Sequence, residues 1–462
     1  MASADKGDPY RGLSLWLDTF EGDLTPQNPI RRDTSADVAI IGGGFTGLWT
    51  AWYLSELDPE LRVVVLEKDI CGFGASGRNG GWCVGELVAG VDTFAKWSSH
   101  DAAMRLARAV FDSVDEVGRV TRAQGIDCGY EKGGTVYLAR NAPQEKRQRD
   151  LIDAERAHGF TEEEIGLLTA DEARARVNAT DVRSGIHFAA TAAIDPARLV
   201  RGLADACQAR GVEIHESSPV IAVEPGRVVT SRSTVRAPVI VRGLEGYTRN
   251  LPGHRRSMVP LYSLMVATEP LDDAVFEEIG LDGRPTFADD RYAVIYGQRT
   301  EDNRIAFGGR GVPYVFGSRI TPKVERHEPT HALVERTLVE LFPALADARI
   351  THRWGGVLGA PRNFTPSVNF DPSTGMANAG GYVGEGVAPS NLAGRTLADL
   401  IVGADTERAT LPWVNHPSRK WEPEPLRFLG VWGTRRVMFA ADQHEYATNE
   451  ESKAGLLASK LL

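Results

Sequence analysis

The residues whose types and spacing point most directly to chemistry are three glycines near the start of the chain. Gly42, Gly44 and Gly47 form a Gly-x-Gly-x-x-Gly pattern directly after the apolar run 38–41. In such a pattern the first glycine permits a sharp turn, the second lets the backbone approach a pyrophosphate, and the third lets a helix pack closely on the strand. The N–H groups at the start of that helix favour negative charge. The pattern therefore predicts a dinucleotide-binding turn.

A carboxylate follows at the distance that such a turn requires. Glu67 comes 20 residues after Gly47, at the end of a second apolar run at 62–66. Apolar residues between them recur at helical spacing until Asp58. A carboxylate at this strand end can accept hydrogen bonds from both ribose hydroxyls of an adenosine and repels a 2′-phosphate. A strand-turn-helix unit without a ligand is the alternative, because glycine is common here, with 48 of 462 residues.

A second glycine-rich loop, residues 71–82, follows the second strand and reads CGFGASGRNGGW. Its small residues permit tight turns, and Ser76, Arg78 and Asn79 supply polar groups. Such a loop can wrap a pyrophosphate and continue beneath a large planar ring, which NAD enzymes do not need. A surface loop with permissive turns is the alternative.

A third glycine-rich segment, residues 380–386 and here called the late loop, holds four glycines in seven positions. Residues 388–401 are small and apolar, as in a buried helix, and Pro389 suits its first turn. N–H groups at this helix start would stabilise the negative charge that builds on a planar ring during reduction. A glycine-bearing loop before a packing helix is the alternative.

Together, the turn at 37–47, Glu67, the GASGRNGG loop at 74–81 and the GGYVGEGV segment at 380–387 resemble the D-amino-acid-oxidase (DAO) superfamily of FAD-dependent oxidoreductases. The resemblance spans roughly residues 37–403. The GASGRNGG form is most similar to the branch that contains gamma-glutamylputrescine oxidase and related amine oxidases. The resemblance implies an α/β fold: a Rossmann-like FAD-binding domain of the glutathione-reductase type, with an inserted substrate domain of antiparallel sheet plus helices.

The resemblance also implies a set of FAD contacts. FAD is expected to be held non-covalently, because the late loop has no cysteine or histidine and Trp82 stands where some relatives offer histidine. Cys83 is the alternative point of attachment. The backbone of Val220 is expected to meet the adenine. The expected contacts are Gly42, Gly44, Phe45, Thr46, Gly47, Glu67, Lys68, Gly74, Ala75, Ser76, Arg78, Asn79, Gly80, Gly81, Trp82, Val220, Gly246, Gly381, Val383, Gly384, Glu385, Gly386 and Val387.

The candidates for the substrate pocket lie at predicted strand ends or beside the late loop. The carboxylate of Glu385 can hold an ammonium group or cap the following helix, and both roles stay open. Aromatic side chains can cage an amine through cation–π contact or belong to the core. His187 is expected to be a packed core histidine rather than a catalytic one. The candidates are Tyr262, Tyr292, Tyr296, Arg310, Trp354 and Glu385.

One departure from the family pattern bears on the substrate. Some relatives carry an arginine in the late loop that clamps a substrate carboxylate, whereas Gly384 aligns there in this chain. A simple α-amino acid therefore lacks its bidentate partner, although Arg78 and Arg310 remain possible replacements. The resemblance thus implies oxidation of a C–N bond of an amine or modified amino acid to an imine, hydrolysed to a carbonyl product, with O2 reduced to H2O2. The alternatives are an FAD dehydrogenase that passes electrons to a quinone or carrier protein, an amino-acid oxidase proper, and a non-enzymatic protein stabilised by FAD.

The order of patterns along the chain predicts a discontinuous organisation. Residues 1–36 form an N-terminal arm and 404–462 a C-terminal helical extension. Strand-like residues at 258–314 suggest an antiparallel sheet, 234–241 one strand, and Asp195 a helix cap. The aromatic, basic stretch 426–439 is expected to pack on the body or on a second subunit in a homo-oligomer, with membrane-surface contact as the alternative. The FAD-binding domain is expected at 37–92, 181–250 and 350–403, and the substrate domain at 93–180 and 251–349.

Composition narrows the classes further. With 462 residues and 42% hydrophobic content, the chain can bury a large core. The net charge of −10 argues against a nucleic-acid binder and favours a cationic substrate. Four widely spaced cysteines suggest neither a zinc site nor disulfides, which fits a reducing cytoplasm. No apolar run reaches about 18 residues, so no transmembrane segment is expected.

Overall fold

The structure is a computed structural model that describes residues 8–309 and 314–459. Its α-helices are α1 (Leu15–Asp18), α2 (Phe45–Leu57), α3 (Gly90–Ala95), α4 (His100–Gln124), α5 (Ala142–Ala157), α6 (Ala170–Arg176), α7 (Pro196–Ala209), α8 (Asp273–Ile279), α9 (Pro322–Glu325), α10 (Glu328–Leu341), α11 (Val387–Val402), α12 (Leu426–Thr448) and α13 (Lys453–Ser459). Its strands are β1 (Thr34–Ser35), β2 (Val38–Ile41), β3 (Val63–Leu66), β4 (Trp82–Val84), β5 (Thr135–Ala139), β6 (Ile165–Thr169), β7 (Ser184–Phe188), β8 (Thr191–Ala193), β9 (Glu213–His215), β10 (Val220–Glu224), β11 (Arg227–Thr230), β12 (Thr234–Arg236), β13 (Val239–Arg242), β14 (Val259–Thr268), β15 (Thr286–Asp289), β16 (Ile295–Arg299), β17 (Ile305–Gly309), β18 (Ile350–Ala360), β19 (Ser367–Asp371) and β20 (Met376–Gly380).

A six-stranded sheet carries the first glycine pattern, with strand order β19-β20-β13-β2-β3-β9. All neighbours pair in parallel except β19, which runs antiparallel on the edge. Every residue of β2 and β3 is buried, as expected for parallel strands covered on both faces. The predicted strand-turn-helix-strand unit is confirmed, and it brings Gly42, Glu67 and Gly243 to the same edge of the sheet.

The helices that cover this sheet pack closely on one another. Residues 45–55 of α2 are buried, and α11 lies against them so tightly that a Cβ added at Gly394 would come within 2.6 Å of the Cβ of Trp49.

The predicted cap of α7 is confirmed, because the carboxylate of Asp195 accepts hydrogen bonds from Ala197 N and Arg198 N at 2.9 and 3.0 Å.

An eight-stranded sheet forms the second layer, with strand order β18-β14-β17-β16-β15-β5-β7-β6. Its neighbours are antiparallel except for β15 and β5. The expected antiparallel sheet is therefore present. Residues 184–188 and 350–360, which the sequence-based division places in the FAD-binding domain, form β7 and β18 of this sheet.

Two predicted strands differ from the structure. The single strand predicted at 234–241 is wrong: β12 lies in a four-stranded sheet with β1, β10 and β11, whereas β13 lies in the six-stranded sheet. The break falls at Pro238, which has no N–H and restricts the residue before it. Within the strand-like stretch 258–314, residues 292–294 are not in a strand, and β16 begins only at Ile295. Residues 292 and 293 instead donate their N–H groups to the side chain of Asp442.

The C-terminal extension packs on the body of the protein through Trp421, Arg427 and the second half of α12. Ala441, Asp442 and Glu445 are buried there, whereas Leu426 and Leu429 near the helix start are 62% and 55% exposed. None of the helices in the described residues is long and apolar enough to cross a bilayer. All four cysteines are free and buried.

Candidate active site

A cleft opens at the carboxyl ends of β2, β3 and β13, and we call it the glycine cleft. Its walls include the start of α2, the end of β3 and the turn after β13. Many of the expected dinucleotide contacts line it: Gly42, Gly44, Phe45, Thr46, Glu67, Lys68, Gly74, Ala75, Ser76 and Val220.

The backbone at the first turn leaves no room for side chains. Gly42 has φ +108°, a conformation that disfavours other residues. A Cβ added at Gly47 would overlap the carbonyl oxygen of Gly42. Gly44 is the N-cap of α2 and has no side chain to occupy the space in front of that helix. The turn therefore presents backbone N–H groups to the cleft, as a pyrophosphate requires.

The second glycine-rich loop closes onto the first turn. Ser76 Oγ accepts a hydrogen bond from Phe45 N at 2.9 Å. Asn79 folds the loop itself, because its Oδ1 accepts from Gly81 N at 2.8 Å and its Nδ2 donates to Ala75 O at 3.1 Å.

Arg78 is buried, and its side chain also serves the loop. Its Nε donates to Phe73 O at 2.7 Å, and its Nη1 pairs with Glu325 Oε2 at 2.9 Å. The guanidinium lies 4.5 Å from the centroid of the Phe73 ring. The guanidinium is thus already paired within the protein.

Glu67 has the geometry expected of a ribose acceptor. Its Oε2 accepts from Gly43 N at 2.8 Å and its Oε1 from Asp69 N at 2.9 Å. Burial raises the pKa of Glu67 to about 7, although these two hydrogen bonds act in the opposite direction. Each carboxylate oxygen accepts more than one hydrogen bond, so both retain capacity for a hydroxyl donor. A glycine cradle with a carboxylate at this position fits the adenosine and pyrophosphate of FAD.

The late loop is fastened to the turn after β13. The N–H groups of Gly381 and Tyr382 both donate to Glu245 Oε1 at 3.0 Å. Burial raises the pKa of Glu245 to about 7, opposed by these hydrogen bonds. Val383 has φ +52° and Gly384 φ +114°, so the loop turns sharply before α11 begins at Val387.

A second cavity, which we call the aromatic cavity, adjoins the glycine cleft, because Ala75 and Val357 line both. Its walls include Trp82, Tyr137 and Tyr296. The ring of Trp82 meets those of Tyr296 and Tyr137 edge-on, with centroids 5.9 and 6.4 Å apart. The aromatic cavity therefore offers π surface directly beside the cleft.

Polar groups complete the aromatic cavity. Glu385 and Ser263 line it, and Ser263 Oγ lies 2.5 Å from the Tyr296 hydroxyl. The Tyr137 hydroxyl donates to Glu86 Oε2 at 2.9 Å. Burial raises the pKa of Tyr137 well above its usual value, and the charges of Glu86 and Glu385 add to this effect. Two carboxylates, those of Glu86 and Glu385, therefore act on the Tyr137 hydroxyl.

The remaining predicted FAD contacts divide into those that line the aromatic cavity and those that line neither cavity. Arg78, Asn79, Gly80, Trp82, Gly384, Glu385 and Val387 line the aromatic cavity. Neither cavity includes Gly47, Gly81, Gly246, Gly381, Val383 or Gly386 among its described lining residues.

Among the substrate candidates, Glu385 and Tyr296 line the aromatic cavity, but three others lie elsewhere. The Tyr262 hydroxyl accepts from Thr321 N at 2.9 Å, Trp354 Nε1 donates to Arg78 O at 2.9 Å, and Tyr292 packs against a helix of the C-terminal extension. These three pack in the body of the protein and line neither cavity among its described residues.

Two further sequence expectations concern single residues. Arg310 lies outside the described residues. His187 lies on β7, where burial lowers its pKa, and it is not among the described residues that line either cavity.

Several residues that line the two cavities are missing from the sequence-based set of sites, among them Tyr137, Ser263 and Glu245. Ser263 lies on β14, within the strand-like stretch 258–314, and Tyr137 lies on β5. Strand periodicity shows that their side chains share a face with alternate neighbours, but it does not show which cavity that face borders. The charge of Glu245 was visible in the sequence, whereas its partners 136 and 137 residues further along the chain were not.

Comparison with known proteins agrees with this geometry. Residues 37–400 match the DAO family, described as FAD dependent oxidoreductase. The probable oxidoreductase OrdL of Haemophilus influenzae is 30% identical over 402 residues, which cover 84% of this chain and 88% of that protein. The gamma-glutamylputrescine oxidoreductase of Escherichia coli K12 is 29% identical over 420 residues, covering 88% and 93%. The crystal structure of glycine oxidase from Geobacillus kaustophilus superposes with a TM-score of 0.67 at 20% identity, covering 84% of this chain and 100% of that one. The chain therefore belongs to the DAO family of FAD-dependent oxidoreductases.

Proposed function

We propose that this protein oxidises a C–N bond of an amine or modified amino acid to an imine, which water then hydrolyses to a carbonyl compound. The substrate loses two electrons and two protons, and O2 takes them up to give H2O2. The observation that carries the proposal is the aromatic cavity: the rings of Trp82, Tyr137 and Tyr296 and the carboxylate of Glu385 line a space that shares wall residues with the glycine cleft.

FAD, held non-covalently, supplies the electron-accepting chemistry that side chains lack. The chain's own residues bind and orient the substrate. The carboxylate of Glu385 pairs with the ammonium group, and the aromatic faces of Trp82 and Tyr296 hold it by cation–π attraction. A carboxylate oxygen of Glu385 is also the nearest candidate to accept the proton that the ammonium must lose before oxidation.

The arginine that lines the aromatic cavity favours an amine substrate over a simple α-amino acid. Arg78 is the one arginine among the described residues that line the aromatic cavity, and its guanidinium is already paired with Glu325. A substrate α-carboxylate would have to displace that buried partner. The E. coli relative named gamma-glutamylputrescine oxidoreductase also supports an amine substrate for this chain.

Anaerobic reduction of the flavin tests the proposal. The purified holoenzyme is mixed without oxygen with polyamines, N-methyl amino acids, and D- and L-amino acids, and the flavin absorbance is followed. We expect amines or N-substituted amino acids to bleach the flavin, and we expect admitted O2 to restore it with one H2O2 formed per substrate oxidised. If no amine bleaches the flavin and D- or L-amino acids do, the protein is an amino-acid oxidase instead.

One observation favours a different electron acceptor. The start of α12 exposes Leu426, Leu429 and Trp432, at 62%, 55% and 37%, which is the kind of surface on which a carrier protein or a quinone-bearing membrane docks. In that alternative, the reduced flavin is slow to react with O2 and is reoxidised quickly by a quinone. The rate of reoxidation by each acceptor separates an oxidase from a dehydrogenase.

A further inference from the structure

One wall of the aromatic cavity is held in place by a distant part of the chain. Val294, Ile295 and Tyr296 line the cavity; Val294 ends the connection 290–294 between β15 and β16, and Ile295 and Tyr296 are the first residues of β16. We call residues 289–296 the wall segment. The ends of the wall segment, Asp289, Ile295 and Tyr296, pair in the sheet, whereas residues 291–294 belong to neither strand, so groups outside the sheet must fix their position.

Asp442 on α12 provides the most direct of these groups. Its Oδ1 accepts a hydrogen bond from Tyr292 N at 2.7 Å, and its Oδ2 accepts from Ala293 N at 2.8 Å. A carboxylate that binds two successive N–H groups fixes the orientation of both peptide units. The next residue, Val294, already lines the cavity.

Glu445, one helical turn further along α12, holds the same segment through an arginine. Its two carboxylate oxygens pair with Arg147 Nη1 and Nη2 at 2.9 and 3.0 Å. The same guanidinium donates to Asp290 O at 2.8 Å and to the Tyr292 hydroxyl at 3.2 Å. The arginine therefore bridges α12 to the wall segment.

Tyr446 anchors the beginning of the wall segment. Its hydroxyl donates to Asp289 Oδ2 at 3.0 Å, and Asp289 also pairs with Arg291 Nη2 at 2.7 Å. Burial alone would raise the pKa of Asp289, but the charges of Arg291 and Arg140 outweigh it and lower the pKa. Asp289 is therefore an ionised acceptor for the Tyr446 hydroxyl.

The turn into α13 covers the segment from outside. Ser452 N donates to Glu445 Oε1 at 3.2 Å. A Cβ added at Gly455 would come within 2.7 Å of the Tyr292 ring, so the start of α13 packs directly on that ring.

We propose that α12 is a positioning element of the substrate cavity, in which Asp442 acts through Tyr292 and Ala293 to set the place of Val294 and the point at which Ile295 and Tyr296 enter β16. The inference rests on the proposed function and extends it: the C-terminal extension determines how well the aromatic cavity fits the amine. Asp442 is a positioning residue and touches neither the substrate nor the flavin. Its loss therefore weakens substrate binding more than it slows flavin reduction.

Asp442→Asn and Gln443→Ala provide the matched comparison. In Asp442→Asn, the asparagine offers one acceptor oxygen and places an amide donor against the second N–H group. Gln443, an exposed neighbour on the same helix, serves as the control position. n-Butylamine and 1,4-diaminobutane are the probes, titrated anaerobically against the holoenzyme. For Asp442→Asn we expect the apparent Kd of the reducing amine to rise about tenfold, as for the loss of a hydrogen bond to a charged group. We expect the limiting rate of flavin reduction to change less than about twofold.

Hydrogen exchange provides a readout that needs no substrate. Amides of the wall segment, followed by mass spectrometry, should exchange roughly tenfold faster in Asp442→Asn and unchanged in Gln443→Ala. Tyr446→Phe, which removes one hydroxyl, should give a smaller effect of the same kind and replaces Asp442→Asn if that variant is purified without FAD.

The outcomes separate this inference from the proposed function. Equal exchange and equal apparent Kd in Asp442→Asn and Gln443→Ala would overturn the positioning role, even if both enzymes oxidise amines. If no amine reduces the wild-type flavin, the proposed function is wrong, and the exchange of the wall segment still decides whether Asp442 holds it.

Discussion

The phenolic oxygen of Tyr382 lies 3.1 Å from Oγ1 of Thr46, although 336 residues separate them. Thr46 lies in the first turn of α2, and Tyr382 lies in the late loop, so this contact joins the two glycine-rich regions that the sequence predicts to contact FAD. Glu245 fastens the same loop from the other side, through the N–H groups of Gly381 and Tyr382. The late loop is thus attached both to the start of α2 and to the turn after β13.

Replacing Glu245 should weaken FAD binding. Glu245→Ala leaves the N–H groups of Gly381 and Tyr382 without their acceptor, and we expect the Kd for FAD to rise by roughly tenfold or more, at about 1.5–3 kcal/mol for a hydrogen bond to a charged group. Glu245→Gln retains one acceptor oxygen and should bind FAD more tightly than Glu245→Ala. Quenching of FAD fluorescence on titration of the apoprotein measures both. The exposed Glu224→Ala is the control, and equal affinities for Glu245→Ala and Glu224→Ala would contradict the prediction.

The stability of the apoprotein should fall between about pH 4.5 and pH 7. Burial raises the pKa of Glu67 and of Glu245 to about 7 in the folded apoprotein, whereas an unfolded glutamate titrates near about 4.3. The folded state therefore binds these protons more tightly, so their contribution is fully present below the unfolded pKa and is lost as the pH rises through the folded pKa. Thermal unfolding of apoprotein across this range measures the loss. The double variant Glu67→Gln, Glu245→Gln should flatten the slope, and an unchanged slope would refute the assignment.

An alanine at Gly47 should abolish the FAD site, because its Cβ would overlap the carbonyl oxygen of Gly42. We expect Gly47→Ala to be purified without flavin or to fail to fold. Gly433→Ala is the matched control, since nothing lies within 4 Å of its added Cβ and alanine is favoured over glycine in a helix by about 1 kcal/mol. The flavin content and Tm of the two variants measure whether an alanine at position 47 prevents FAD binding or folding. Full flavin content in Gly47→Ala would show that the turn can open at no cost.

Neutralising Glu385 should weaken amine binding. Glu385→Gln keeps the shape of the side chain but removes the charge that faces the ammonium, so we expect the apparent Kd of a reducing amine to rise roughly ten- to hundredfold. Anaerobic flavin reduction measures this change. Glu60→Gln, at an exposed position, should have no effect. If Glu385→Gln binds amines as wild type does, Glu385 only caps the helix that follows.

The flavin should be released by acid. Cys83 lies in β4 and is fully buried, and burial raises its pKa, so its thiol is a poor nucleophile. It is also absent from the described lining residues of both cavities. Precipitation with acid should therefore leave the yellow colour in the supernatant, for wild type and for Cys83→Ala alike. A yellow pellet that becomes colourless in Cys83→Ala would demonstrate a covalent link.

Much of the nucleotide-binding half follows from local sequence. The apolar runs of β2 and β3, the glycines between β2 and α2, and Asp195 before Pro196 act on residues a few positions away, so their spacing alone predicts the elements. The position of Glu67 is also predicted from local sequence, because the length of the strand-helix-strand unit places this residue at the edge of the sheet.

Contacts between distant segments account for the predictions that differ. Pro238 divides the strand predicted at 234–241, but the sequence does not say that the two pieces enter different sheets. Tyr262, Tyr292 and Trp354 have the residue types of a substrate pocket, yet each finds a partner elsewhere in the body of the protein.

The sequence by itself determined the strand-turn-helix-strand unit around the first glycine pattern and the family, and it predicts the late loop as a second contact region for FAD. Only the tertiary structure decided that Tyr137 and Ser263 border the aromatic cavity, that Glu245 fastens the late loop, and that α12 holds the wall segment. The physical reason is that periodicity shows which face of an element is apolar, whereas the partner that covers this face is selected by packing among segments hundreds of residues apart.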